Sequence, residues 1–451
     1  LVLLSKAREV ALAALLSVEE SDAYLNLVLP KRISEAKLSS PDAAFATELA
    51  YGTSRNQGFY DFVIEKVTAR SVTEIESGVL CTARLGVHQL LVLETPAHAA
   101  IFETVELVKR KVKQSAGGFI NAALRRVSEK SFDEWIAVLE RENLSVEQFL
   151  SIRYSHPIWV TRALRLALQS EGAGEETEEA LNADNLNPKV HLVLLPGKSS
   201  DVYDLDKGDS SPIGYVLDSG DPSQFSGVAT GAMRVQDQGS QLSVLALSEV
   251  TEFQPGEKWL DLCAGPGGKA VLMAALAAQV QATLSTNELT PHRAELVATA
   301  LRHSGFSAEQ MVGDGRDLPA DLQYDRILLD APCTGLGALR RRPESRWRKN
   351  SANLKELSVL QRELITAAWS HLKPGGVLAY VTCSPHPAET TSQIEWMLRG
   401  NSNAVLLDST SVLKRLNPNL DLQPNRKTAQ LWPHRNGTDA MFIALIQKSS
   451  E

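Results

Sequence analysis

Two short runs in the last third of the chain carry side chains suited to covalent chemistry: Asp330-Ala331-Pro332-Cys333 and Thr382-Cys383-Ser384-Pro385. Each follows a short apolar run of the kind that forms a buried parallel strand. Each is therefore placed at the carboxyl end of a strand, where open α/β sheets bind their ligands. A thiolate is a strong nucleophile, and two cysteines with a carboxylate at matching strand ends suit nucleophilic chemistry better than a disulfide. The plainer reading of any one cysteine is a small buried hydrophobe. That reading is kept for Cys81 and Cys263; the carboxylate, the proline turn and the matched positions favour chemistry for Cys333 and Cys383.

Upstream, Cys263-Ala264-Gly265-Pro266-Gly267-Gly268-Lys269 follows another apolar run and opens a helix. Glycines there let a backbone approach a ligand. A phosphate-hydrolysing loop needs GxxxxGK[ST], but Cys263 stands at its first glycine and Ala270 at its hydroxyl. The glycine spacing also departs from the dinucleotide fingerprint GxGxxG. A nucleoside-binding loop of looser pattern fits, and so does a plain strand–helix turn. Glu288, about 20 residues further on, could accept ribose hydroxyls, or be a solvated strand end. Asp314 in Val312-Gly313-Asp314-Gly315 could accept an adenine amino group, or simply belong to a glycine turn.

A basic cluster comes next: Arg340, Arg341, Arg342, Arg346, Arg348 and Lys349, with Trp347 among them. Such a run is usually a solvated face. Its position just after the proposed active-site loop favours RNA contact, with arginine for phosphate and tryptophan for base stacking.

These residues need a scaffold, and the pattern supplies one. Strands are predicted over 258–263, 282–286, 324–329, 376–382 and 441–447, with helices over 269–278, 291–303 and 354–372. That alternation predicts a sheet covered by helices on both faces, in a domain spanning 231–451. Residues 1–145 read as all-α, beginning with an amphipathic helix over Leu1–Leu16 and with Thr95-Pro96 starting another. Residues 146–230 mix a helix near 159–168 with β-like pieces at 189–195 and 215–217, which predicts a small α+β domain. The 451 residues carry a net charge of −8, which gives no global sign of nucleic acid, so any RNA contact must be local. Four cysteines, fifty or more residues apart, exclude CxxC zinc sites and predict a reducing cytoplasm and no metal. No apolar run is long enough to span a bilayer.

Taken together, the stretch Leu260–Lys269, Gly313-Asp314, Asp330-Ala331-Pro332-Cys333-Thr334-Gly335, Thr382-Cys383-Ser384 and Pro433–Asp439 resemble the cytosine-C5 RNA methyltransferases. Specifically, they resemble the RsmB (Sun/Fmu) type, which acts on 16S ribosomal RNA. Phe119–Arg126 is similar to the NusB-type RNA-binding domain fused in that branch, and Val235–Gln241 to its segment leading into catalysis. The resemblance implies an all-α NusB-like domain, a small α+β domain and a class I (Rossmann-like) methyltransferase domain. It also implies S-adenosyl-L-methionine as cofactor, RNA as partner, and a monomer. Cys263 to Lys269, Glu288, Asp314 and Asp330 would bind the cofactor. By the same resemblance Cys383 attacks carbon 6 of the base, while Asp330, protonated, hydrogen-bonds to the N3 and amino edge. Cys333 assists removal of the carbon-5 proton. Glu389 lies in the run Pro385–Thr391, where relatives are often Glu/Asn-rich, and the sequence assigns it no role.

Three other functions are weighed. A tRNA substrate keeps the chemistry, but the fused helical domain argues against it. A non-catalytic NusB-like antitermination factor leaves both cysteines without purpose. A nicotinamide oxidoreductase conflicts with the glycine spacing.

Overall fold

The computed structural model describes residues 5–217 and 220–450, and the first four residues of the predicted opening helix lie outside them. The chain forms two compact units where three domains are predicted. One comprises residues 1–162, 177–186 and 339–349; the other comprises 163–176, 187–338 and 350–451. The middle segment forms no unit of its own: most of its helical part joins the first unit, and its strands join the second.

The first unit is all helix. Its helices include Lys6–Ser21, Leu25–Ala36, Ser40–Arg55, Gln57–Thr68, Ser77–Leu91, Ala97–Lys111, Gly117–Val127, Phe132–Glu140 and Val146–Arg153. Serines start several of them. Ser39 caps one, and Ser131 with Glu134 and Ser145 with Gln148 form reciprocal capping boxes. Ser77–Leu91 is buried on nearly all sides, as befits a central helix, and two apolar clusters pack around it. Cys81 lies inside one of them, its thiol pKa pushed up to about 12 by burial first, so the plain reading of Cys81 stands.

The second unit holds two sheets. The smaller contains β1 (Val190–Leu194), β2 (Asp206–Lys207), β3 (Gly214–Leu217) and β4 (Met233–Val235) in the order β2-β3-β1-β4, all antiparallel. The larger contains β5 (Lys258–Asp261), β6 (Thr283–Glu288), β7 (Glu309–Val312), β8 (Tyr324–Asp330), β9 (Leu372–Thr382), β10 (Ala404–Leu406), β11 (Ala429–Gln430) and β12 (Phe442–Lys448). Its order is β10-β12-β9-β8-β5-β6-β7, with β11 beside β12. The strands β5 to β9 run parallel, and β12 pairs antiparallel with β9. This is the Rossmann-like layout of the prediction. Strand order reverses between β5 and β8, so their following loops diverge and leave a crevice at the carboxyl ends. Leu260, Ile327, Leu329, Leu378 and Tyr380 are fully buried, which is why these strands read as apolar runs. No helix among the described residues is long and apolar enough to cross a membrane.

Candidate active site

The two cysteines meet because β8 and β9 are neighbours in register. Asp330 sits opposite Val381, and the amide of Ala331 donates to the Val381 carbonyl at 2.9 Å. The loops that follow therefore emerge side by side, with Cys333 Sγ 3.4 Å from Cys383 Sγ and both residues part-exposed. The Gly337 amide donates to the Cys383 carbonyl at 2.8 Å and closes the pair of loops. The Cys333 thiol is held well above the ordinary cysteine value. Its hydrogen bond to Cys383 is the first cause, followed by burial and by the negative charge of Cys383, Glu389 and Asp330. Either sulfur can be the donor of this hydrogen bond.

Asp330 faces Lys269 of the glycine loop, with Lys269 Nζ donating to Asp330 Oδ2 at 2.7 Å. Burial opposes the Lys269 ammonium, yet Asp330, Cys383 and Asp261 together hold its pKa above the usual lysine value. Lys269 is thus a positive charge beside both the carboxylate and the proposed nucleophile. Asp261, the last residue of β5, is fully buried, and neither of its carboxylate oxygens has a hydrogen-bond partner of normal geometry. Burial first, and the Asp330 charge second, push its pKa up to about 8.

The glycine loop is tied to β6. The Gly265 amide donates to Glu288 Oε2 at 3.0 Å, and Arg293 Nη2 donates to the Gly265 carbonyl at 2.6 Å. A Cβ at Gly265 would lie 2.4 Å from Glu288 Oε2, so a larger residue there would have to move that carboxylate aside. Gly267 takes φ +106°, a left-handed conformation suited to glycine. Asn287 Nδ2 donates to the Leu262 and Gly313 carbonyls, joining the loops after β5 and β7. Glu288 is buried, and its Oε1 also accepts from the Thr290 amide. Both oxygens of Asp314 are engaged by Arg316, whose guanidinium holds the carboxyl below its ordinary pKa. The Cys263 thiol pKa is raised, by burial first and then by Asp261.

Sequence reasoning missed several contributors. Asp261 lies in the Leu260–Lys269 stretch that carries the resemblance, but the sequence assigns it no role. Asn287 gave no signal. Gln236 is buried, both amide atoms lack partners, and its Nε2 lies 4.0 Å from a Cβ built on Gly268.

The basic cluster is a correction. Residues 339–349 belong to the helical unit, and Arg346 is fully buried there. Its guanidinium donates to the carbonyls of Arg55 at 2.9 Å, Ser155 at 3.1 Å and Asp184 at 2.7 Å, and to Asn185 Oδ1 at 2.7 Å. Arg348 donates to the carbonyls of Val18, Asp22 and Ala23. Arg342 and Arg348 lie over the Tyr24 ring, and Glu344 accepts from the Leu25 amide. Most of these carbonyls lie at or just past helix ends, where intrahelical donors run out. Arg340 is buried, Arg341 and Lys349 are part-exposed, and Trp347, at 38% exposure, packs over Gly58. Arg346 and Arg348 cap helix ends and are committed to those carbonyls, while Arg342 remains exposed.

A cavity of about 890 Å³ opens at the opposite edge of the sheet, lined by Lys258, Thr283, Glu309 and Tyr324 at the starts of β5 to β8. It takes no part in the site.

Comparison with known proteins agrees with this geometry. Residues 249–447 match the family described as 16S rRNA methyltransferase RsmB/F, and residues 5–129 match the NusB family. The putative methyltransferase Rv1407 of Mycobacterium tuberculosis is 41% identical over 99% of this chain and 97% of its own. Ribosomal RNA small subunit methyltransferase B of Erwinia tasmaniensis is 31% identical over 98% of both chains. The crystal structure of PH0851 superposes with a TM-score of 0.80 at 22% identity, covering 99% of this chain and 100% of that one.

Proposed function

From the premise that this chain belongs to the RsmB/F methyltransferase family, we propose that it methylates carbon 5 of a cytosine in 16S ribosomal RNA through a covalent Cys383–cytosine adduct. The chain is an RNA methyltransferase that uses S-adenosyl-L-methionine and carries a NusB-type RNA-binding domain. The 16S substrate follows the family description, in keeping with the small-subunit ribosomal RNA in the name of the Erwinia tasmaniensis relative, which matches along nearly the whole chain.

The observation that carries the chemistry is the pair of sulfurs 3.4 Å apart next to the Lys269–Asp330 pair. Cytosine carbon 5 is a poor nucleophile until a thiolate adds to carbon 6 and makes the ring an enamine, which splits one hard step into easier ones. Cys383 is the attacking sulfur in this scheme, as the family resemblance implies, with the Lys269 ammonium as the positive charge beside it. Asp330 receives the N3 and amino edge of the base. In the protonated form that the resemblance implies, Asp330 donates to N3, where charge develops, and accepts from the amino group, while Lys269 holds its other oxygen. Cys333 then assists removal of the carbon-5 proton while Cys383 leaves.

When bound, S-adenosyl-L-methionine supplies an electrophilic methyl group. The residues present fit it. Asp261 offers a buried carboxylate with unfilled acceptor capacity beside the loop 263–269, suited to the cofactor's ammonium group. Gly265, Gly267 and Gly268 open the backbone, and Glu288 presents its carboxylate at the end of β6. Asp314 contributes through the loop it orders with Arg316.

The test is a Cys333→Ala variant incubated with S-adenosyl-L-methionine and protein-free 16S RNA, then run on a denaturing gel. A shifted protein–RNA band that vanishes in the Cys333→Ala/Cys383→Ala double variant is expected. No adduct, together with no labelled methyl transfer by the wild type, would leave an RNA-binding protein. Transfer to tRNA alone would keep the chemistry and change the substrate.

A further inference from the structure

Glu389 is completely buried in the second unit, with its backbone in the short 3-10 turn Pro387–Glu389. Its Oε1 accepts from the Thr334 amide at 2.8 Å and from Gln361 Nε2 at 3.2 Å, and its Oε2 accepts from the Thr334 hydroxyl at 2.5 Å. Gln361 Nε2 also donates to the Pro332 carbonyl at 2.9 Å. The carbonyl before Cys333 and the amide after it are therefore fixed by one carboxylate and the amide it holds. The Thr334 hydroxyl further lies 3.2 Å from Ser384 Oγ, next to Cys383. Glu389 is itself anchored by Tyr380, whose hydroxyl donates to the Glu389 carbonyl at 2.7 Å. A buried carboxylate is costly where packing alone is at stake, since an apolar side chain would serve better. Its partners all converge on the peptide groups around one cysteine.

We propose that Glu389 is a positioning residue for the release half of the reaction, holding Cys333 in register with Cys383 so that the carbon-5 proton is removed and Cys383 departs. This rests on the cytosine-adduct reading above. Glu389 touches neither base nor cofactor in this role; it acts through Thr334, Gln361 and the loop they fix.

The experiment compares full-length wild type, Glu389→Ala, Glu389→Gln, Thr334→Val and Cys333→Ala, each with S-adenosyl-L-methionine and protein-free 16S RNA. Adduct on denaturing gels, single-turnover methyl transfer and multiple turnover are read in parallel. Glu389→Ala should accumulate adduct as Cys333→Ala does, with multiple turnover falling roughly 10–100-fold and single-turnover transfer falling far less. Glu389→Gln keeps an acceptor for the Thr334 amide and should recover most of the turnover. Thr334→Val should shift the same way as Glu389→Ala and decides the matter if that variant fails to fold. Equal loss of adduct, single turnover and multiple turnover in Glu389→Ala and Thr334→Val would mean general structural damage and overturn the proposal. So would a Glu389→Gln variant as impaired as Glu389→Ala. If Cys333→Ala itself traps nothing, the cytosine-adduct reading fails and this inference falls with it, an outcome distinct from the others.

Discussion

The Lys269 ammonium lies 2.7 Å from Asp330 Oδ2, joining the loop after β5 to the end of β8 across the point where strand order reverses. The Lys269 side chain is only 12% exposed, so little water competes for this pair. Replacing Lys269 with Met should leave Asp330 without its ion partner and remove the positive charge beside Cys383. Methyl transfer in a single turnover is expected to fall about 100–1000-fold, the usual loss for one preorganised electrostatic donor. Cofactor binding measured by calorimetry should change much less. A variant that loses both equally would show Lys269 to be a cofactor ligand only.

Asp261 supplies a pH dependence whose sign follows from its setting. Burial and the neighbouring Asp330 raise its pKa to about 8, so near neutral pH the free protein carries it largely protonated. A cofactor ammonium paired with Asp261 requires the ionised form, and binding then expels a proton. S-adenosyl-L-methionine affinity should therefore rise from pH 6 towards about pH 8, above which the cofactor's own ammonium loses its proton. Titration calorimetry in buffers of different ionisation enthalpy measures the released proton directly. In Asp261→Asn the pH dependence over this range should disappear. If it persists unchanged there, the titrating group is another.

Arg346 should prove a stability residue. It serves carbonyls after three separate helices, and its removal leaves buried acceptors unpaired at a cost of about 1–3 kcal/mol each before relaxation. Arg346→Ala is expected to lose at least about 3 kcal/mol, visible as a melting transition of the helical unit roughly 6–12 °C lower. Arg346→Lys should recover less than half, because a point charge cannot fork to four acceptors. RNA affinity at a temperature where the variant is folded should keep its salt dependence. A reduced salt slope with unchanged melting would restore the phosphate-contact reading.

The difference between what the sequence disclosed and what it hid has a physical basis. Asp330, Cys333 and Cys383 were legible because buried parallel strands are written as apolar runs and their ends are marked by the first polar residues. The edge strand β7 escaped that test, since Glu309–Val312 is mostly exposed and its Glu-Gln start carries no apolar run. Asp261 belongs to the Leu260–Lys269 motif, but at the end of a buried strand its type and spacing alone give it no role. The basic run of 340–349 was misread because its acceptors, from Val18 to Asp184, are backbone carbonyls remote in sequence, and carbonyls leave no trace in composition. The middle domain was drawn as one piece for the same reason. Local pattern finds the helix near 159–168 and the strands near 189–195 and 215–217 but not Val146–Arg153, Thr177–Ala183 or Asp206–Lys207, and which unit each joins is decided by contacts with distant segments.

His156 gives the helical unit a measurable acid sensitivity. The ring is fully buried, with Nδ1 2.7 Å from the Tyr154 carbonyl and Nε2 3.4 Å from Asp184 Oδ2. Burial first, and the Arg346 guanidinium next, drive its pKa down from 6.5 to about 4. Above pH 7 the imidazole is neutral whether the chain is folded or not, and it contributes no pH dependence. Between about 6.5 and 4 the unfolded chain takes up a proton that the folded one refuses, so stability falls as pH falls through that window and levels off below it. The full shift corresponds to a loss on the order of 3 kcal/mol. Denaturant titrations of wild type and His156→Gln at half-unit intervals from pH 7.5 to 4 isolate this term, because the carboxylates that titrate in the same range are common to both. The gap between the two curves should change steadily below about pH 6.5, with the wild type losing more stability than the variant. Parallel curves would mean that water or a rearranged Asp184 lets the folded protein protonate His156 at its ordinary pKa.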